Sequence, residues 1–134
     1  MTHHPELFLS TNDAAALHVL VGQRRHAQGP ESEAVQALQD LLEEAELLPQ
    51  ERMPADRVTM NSQVTYVEDP GGAHRTVTLV HPADADPAAG RISVLSPVGR
   101  ALLGRAPGAQ VAVPGLGRAK LRIRVLSLDR GGAA

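Results

Sequence analysis

The stretch Ser93-Val94-Leu95-Ser96-Pro97-Val98-Gly99-Arg100-Ala101-Leu102-Leu103-Gly104 changes its structural period in the middle. Arg91 to Leu95 reads as a strand. Ser96 then has the hydroxyl of a helix N-cap, and Pro97 fits the first helical position, where a missing amide hydrogen costs nothing. Val98, Ala101, Leu102 and Leu103 supply the apolar positions of a short helix, and Gly104 ends it. A strand that passes directly into so short a helix implies a helix laid on a sheet.

The flanking sequence supplies the other strands. Val64 and Tyr66, with Val58, mark a first strand region, closed by the turn Glu68-Asp69-Pro70-Gly71-Gly72. Arg75-Thr76-Val77-Thr78-Leu79-Val80 alternates and is rich in β-branched residues. His81 to Pro87 makes a loop, with Asp84 and Asp86 as turn acids. Gln110 to Val113 forms another strand. Gly115-Leu116-Gly117 reads as a hairpin turn into a last strand from Ala119 to Leu128. There Leu121, Ile123 and Val125 oppose Lys120, Arg122 and Arg124, the pattern of a half-buried strand. The sheet is expected to be largely antiparallel.

The first 52 residues read as helical. Ser10 and Asp13 have capping-box spacing, and Ala14, Leu17, Leu20 and Val21 recur at helical steps over about 12–27. Gly29 suits a C-cap and Pro30 a helix start. Ala34, Val35, Leu38, Leu41, Leu42, Ala45 and Leu48 make one apolar stripe over 32–48, roughly 25 Å of helix. Two helices with so short a connection predict an antiparallel hairpin. The fold class is therefore α+β: a short N-terminal hairpin over 1–52, then an antiparallel sheet domain with one short helix over 53–134.

Composition narrows the chemistry. The chain has 134 residues, 43% of them hydrophobic, with Phe8 and Tyr66 as its only aromatics and no cysteine. The core must be aliphatic. Thiol nucleophiles, disulfides and cysteine metal sites are excluded, and a row of base-stacking platforms has nothing to be built from. The sequence shows neither a signal-peptide pattern nor a membrane-length apolar run, so a cytoplasmic location without membrane contact is expected. The net charge of −2 hides a split. Residues 1–52 hold nine acids and three bases, a net −6; residues 53–134 hold six acids and ten bases, a net +4.

No catalytic or cofactor motif stands out. Gly104-Arg105-Ala106-Pro107-Gly108 lacks the lysine and hydroxyl of a phosphate loop. The six histidines show no close zinc spacing, and no serine has a nucleophile-elbow context. Catalytic residues, metal ligands and cofactors are expected to be absent. Glu31 and Glu33 sit at a projecting tip, with Arg24 and Arg25 nearby. Two carboxylates there have the chemistry to hold a divalent ion brought by another macromolecule, while helix-start stabilisation accounts for them fully.

Residues 93–104 resemble the strongest signature of the C-terminal domain of the Gre transcript-cleavage factors. Val58-Thr59-Met60-Asn61-Ser62-Gln63-Val64 and Thr76-Val77-Thr78-Leu79-Val80-His81-Pro82-Ala83 are similar to the Rnk family, the regulators of nucleoside diphosphate kinase. The resemblance implies an FKBP-like domain that binds bacterial RNA polymerase at the rim of its secondary channel. It implies Arg100 and Arg105, near the signature helix, as docking residues, and Arg24, Arg25, Glu31 and Glu33 as tip residues. The characteristic acidic tip sequence is absent, and a hairpin of roughly 25 Å is too short for a buried polymerase centre. The implied role is regulation without transcript cleavage, with residual cleavage by the tip acids or direct binding of nucleoside diphosphate kinase as alternatives. DNA would be met only through the polymerase complex. The chain departs from the family pattern at Gly108-Ala109, where Gly-Asp is common, and at Pro114 to Gly117, where Pro-Gly-Gly is common.

Overall fold

The computed structural model describes residues 7–28, 33–69, 72–113 and 121–129. The chain divides into two compact units, Met1–Met53 and Pro54–Ala134. Each described unit has its own aliphatic core.

The first unit opens with a short strand, β1 (Phe8–Ser10), which runs straight into helix α1 (Thr11–Gln28). Ser10 makes the junction: its Oγ accepts the Asp13 amide at 3.0 Å, satisfying one of the helix's orphan donors. Helix α2 (Glu33–Glu44) packs on α1, with Val35, Leu38 and Leu41 buried with Leu17, Leu20 and Val21. The stripe over 32–48 overstates α2. The chain leaves the helix after Glu44 because Glu46–Leu48 form strand β2, paired in parallel with β1. Leu48 thus belongs to a strand, and the Glu46 amide donates to the Leu7 carbonyl at 2.9 Å where the chain enters it. Neither strand carries a period-2 pattern long enough to be read from sequence. Gly29 to Ser32, including the expected cap and Glu31, lie outside the described residues.

The second unit is a five-stranded sheet in the order β5-β4-β3-β7-β6. Its strands are β3 (Gln63–Asp69), β4 (His74–Val80), β5 (Arg91–Ser93), β6 (Gln110–Val113) and β7 (Leu121–Asp129). The pairs β3–β4, β3–β7 and β6–β7 are antiparallel, as expected, but β5 pairs with β4 in parallel. Two single 3₁₀ turns, Pro82–Asp84 and Pro87–Ala89, carry the chain back so that β5 starts beside Thr78. The expected hairpin turn at Gly115–Gly117 and residues Pro70 and Gly71 lie outside the described residues.

Val58 is not in a strand. It is fully buried in the segment leading to β3 and fixed by its own backbone bonds. That segment folds back at Thr59–Ser62, where the two hydroxyls lie 3.0 Å apart and Ser62 Oγ accepts the Thr59 amide. Asn61 sits there at φ +70, a left-handed conformation that asparagine tolerates better than most side chains. Its amide donates to the Leu79 carbonyl, and the Leu79 amide donates to Ser62, so the turn is stitched to β4.

One face of the sheet carries the core: Val64, Tyr66, Val77, Leu79, Ile123 and Val125 are buried. Helix α3 (Pro97–Leu102) covers it, burying Gly99, Ala101 and Leu102. The cap is as the sequence predicts. Ser96 Oγ accepts the Gly99 amide at 3.0 Å and donates to the Ser93 carbonyl at 2.7 Å, and Pro97 occupies the first turn. Gly99 has a second reason to be glycine. A Cβ there would lie inside contact distance of the Ser93 carbonyl oxygen, 3.0 Å from Ser96 Oγ and 3.1 Å from Leu79 Cδ1. The neighbour is backbone, which cannot swing aside. Gly99→Ala should therefore cost about 2–3 kcal/mol in chemical denaturation, at the upper end of overpacking penalties. Ser96→Ala, which loses the cap alone, should cost about 1 kcal/mol.

Tyr66 is the only tyrosine and is 4% exposed. Burial raises its phenol pKa above the ordinary value near 10; Glu68 adds to the rise, and Arg75 opposes it. Glu68 and Arg75 meet each other at 2.8 Å. The fold thus favours the neutral phenol, and this stability is fully present below pH 10 and is lost as pH rises through the folded pKa. Absorbance titration should give a midpoint above 10 in the native protein and near 10 in denaturant. Tyr66→Phe should remove that component of the alkaline stability loss.

Candidate functional site

The exit of α3 concentrates the second unit's expected docking residues. Arg100 lies within the helix and is half-buried; Arg105 follows it by five residues and is also half-buried. The helix stops because Leu103 leaves helical geometry and Gly104 takes φ +82, a left-handed conformation that glycine adopts without strain. This turn aims residue 105 away from the helix axis.

A second segment braces the turn. The Gly104 amide donates to the Val58 carbonyl at 2.9 Å, and the Val58 amide donates to the Arg105 carbonyl at 2.9 Å. Arg57 Nη1 donates to the Gly104 carbonyl at 3.3 Å, and the Arg105 amide donates to Leu102 at 3.1 Å. All four backbone polar groups of Gly104 and Arg105 are thus engaged, three of them by residues 57 and 58. Arg57 joins the site from 47 positions away, and nothing in its local pattern marks it. The only signal was its place directly before the Val58–Val64 segment.

The loop end of the first unit presents a different chemistry. Arg24 is half-buried and Arg25 exposed in the last turns of α1; Glu33 is exposed at the start of α2. Arg25 and His26 suit the negative end of the α1 dipole, and Glu33 suits the positive end of α2. Glu31 lies outside the described residues, so the expected acid pair has one described member. Farther along the pair, His18, Val21, Gly22 and Arg25 of α1 face Gln39, Leu42 and Glu43 of α2 across an open cleft of about 310 Å³. Among the described residues no cluster of three or more histidines and acids could hold a metal ion, and no helix is long and apolar enough to cross a membrane.

Residues 53–130 match the family model described as transcription elongation factor GreA/GreB, C-terminal. The regulator of nucleoside diphosphate kinase from Escherichia coli K12 is 34% identical over 125 residues, 93% of this chain and 90% of that protein. The transcription elongation factor GreA of Geobacillus kaustophilus is 37% identical over 79 residues, 59% of this chain but only half of that protein. Among solved structures, the prokaryotic transcription elongation factor GreA/GreB from Nitrosomonas europaea superposes with a TM-score of 0.72 at 34% identity. That superposition covers 91% of this chain and 98% of the other. Since the regulator matches over 93% of this chain and 90% of its own length, and residues 53–130 match the GreA/GreB model, the chain belongs to the Rnk family within the GreA/GreB superfamily of transcription factors.

Proposed function

We propose that this chain is a regulator that binds bacterial RNA polymerase through its second unit, at the rim of the secondary channel, without cleaving transcripts. The observation that carries the reading is the reach of the GreA/GreB C-terminal model over residues 53–130, nearly the whole sheet unit. We read that unit as FKBP-like, and the paired helices of residues 1–52 as an antiparallel hairpin that regulates rather than catalyses. Arg100 and Arg105 are the docking residues of this reading, since a guanidinium presents a fork suited to carboxylates on a protein surface.

The absence of cleavage rests on length. Helix α1, at 18 residues, is about 27 Å long, and α2, at 12, about 18 Å. Helices of that size support the reading in which acids at their connected ends stop short of a deeply buried catalytic centre. The reading needs no cofactor or resident metal, locates the protein in the cytoplasm, and brings it to DNA only through the polymerase complex. The similarity to the Escherichia coli regulator of nucleoside diphosphate kinase favours that kinase as a second partner.

Immobilised protein should retain core RNA polymerase at micromolar concentration, and a Gre factor should compete. No retention would overturn the reading, and retention of nucleoside diphosphate kinase alone would replace it. Arg100→Ala and Arg105→Ala should each weaken polymerase binding about tenfold, the loss of one charge-assisted hydrogen bond of about 1.5 kcal/mol. Backtracked complexes given the wild-type protein should release no short RNA. Release that disappears in the Glu31→Ala, Glu33→Ala double variant would establish cleavage instead.

A further inference from the structure

We infer that the open cleft between α1 and α2 is a self-association surface, on which a second copy of this chain seats its own cleft about a two-fold axis. The surface lies wholly in the first unit, and the inference stands independently of polymerase binding.

The cleft has a polarity. The β1–β2 pairing ties the start of α1 to the end of α2, and four residues join their other ends. The helices therefore run in opposite senses, as in the hairpin reading above. Arg25 and Gln39 then flank the loop end of the cleft, and His18 and Glu43 flank the far end. His18 and Arg25 are two helical turns apart, about 10 Å. Between these ends the lining is Val21, Gly22 and Leu42, without charge.

Such a surface is complementary to itself when turned end for end. A two-fold axis at the level of Gly22 sets Arg25 of one copy opposite Glu43 of the other, twice. Both side chains are exposed, and among the described residues neither has an ion-pair partner. Gly22 is exposed in the interior of α1, where glycine destabilises a helix relative to alanine. Packing among the described residues does not require it, since a Cβ there would meet nothing within 4 Å. A second helix crossing at that point does, because the missing side chain lets the two backbones approach.

The surroundings suit the same occupant. Val19, three residues before Gly22 and on the same side of α1, is 62% exposed and extends the uncharged surface. No acid, lysine or arginine stands between Asp13 and Arg24, although residues 1–52 carry a net −6. The whole chain carries only −2, so two copies meet with little overall repulsion. Two helical pairs packed face to face make a four-helix bundle, in which each pair acquires a second packed side.

Sedimentation equilibrium of the full chain should show a monomer–dimer transition in the micromolar range or weaker, as so short a contact implies. Arg25→Glu and Glu43→Arg should each weaken the dimer about tenfold, since like charges then face each other twice. The Arg25→Glu, Glu43→Arg double variant exchanges the two charges and should recover to within about threefold of wild type. Gly22→Ala should raise the thermal midpoint of the dilute monomer while weakening the dimer about threefold, two effects of opposite sign. Gly22→Leu should abolish the dimer with its helical circular dichroism intact. A wild-type chain that stays monomeric at millimolar concentration would overturn the inference. So would a dimer that Arg25→Glu and Gly22→Leu leave unchanged, or a charge-exchanged variant no better than either single change.

Discussion

The second unit depends on how closely the backbone of residue 99 approaches the carbonyl of residue 93. Only a glycine lets α3 start within hydrogen-bonding reach of the Ser93 oxygen, and only then can Ser96 bridge the two with one hydroxyl. From that contact follow the angle at which α3 lies on the sheet and the burial of Ala101 and Leu102 beneath it. The place where the helix runs out at Leu103 is set by the same contact. The direction of Arg105 is therefore fixed twice, from the front by a packed helix start and from behind by the residue 57–58 brace.

Both anchors use main-chain atoms, which suits a protein with so few large side chains. A core of leucine, valine and isoleucine offers packing but little directionality. The described structure supplies direction through backbone bonds between segments distant in sequence: Asn61 to Leu79, Leu79 to Ser62, Val94 to Val80, Val58 to Arg105. Buried hydroxyls at Thr59 and Ser62 serve the same end.

Legibility in the sequence followed the range of the interactions. The cap at Ser96, the proline after it, the Ser10 cap and the strands 63–69, 74–80 and 121–129 all rest on local chemistry or period-2 patterning, and all were readable. The strand at 46–48 was not, because its residues continue the helical stripe and only pairing with residues 8–10 draws them out of it. The parallel sense of β5 was hidden for a similar reason: two proline-led turns reverse the chain, and neither has a hydrophobic pattern. At the candidate site, Arg100 and Arg105 are singled out by the segment they belong to, 93–104 and its exit. Arg57 carries no such local mark, because its bond to Gly104 spans 47 residues.

Alternation along β7 changes phase once. Between Thr65 and Tyr66 of β3 the register with β7 shifts, and Leu126 is the extra residue. Before it the odd positions Ile123 and Val125 point inward and Arg122 and Arg124 outward; after it Leu128 pairs with buried Val64, and Ser127 with Thr65. Leu126 therefore acts as a phase-setter: it takes up one position so that Leu128, and not Ser127, returns to the core side. Straightening the bulge with Leu126 retained would set Leu126 opposite Thr65, bring Ser127 onto the core side opposite Val64 and turn Leu128 to solvent, while deleting Leu126 would leave the pairs Thr65–Ser127 and Val64–Leu128 in register. The outward arginines and the inward aliphatics of one continuous strand are kept in step by a single unpaired leucine.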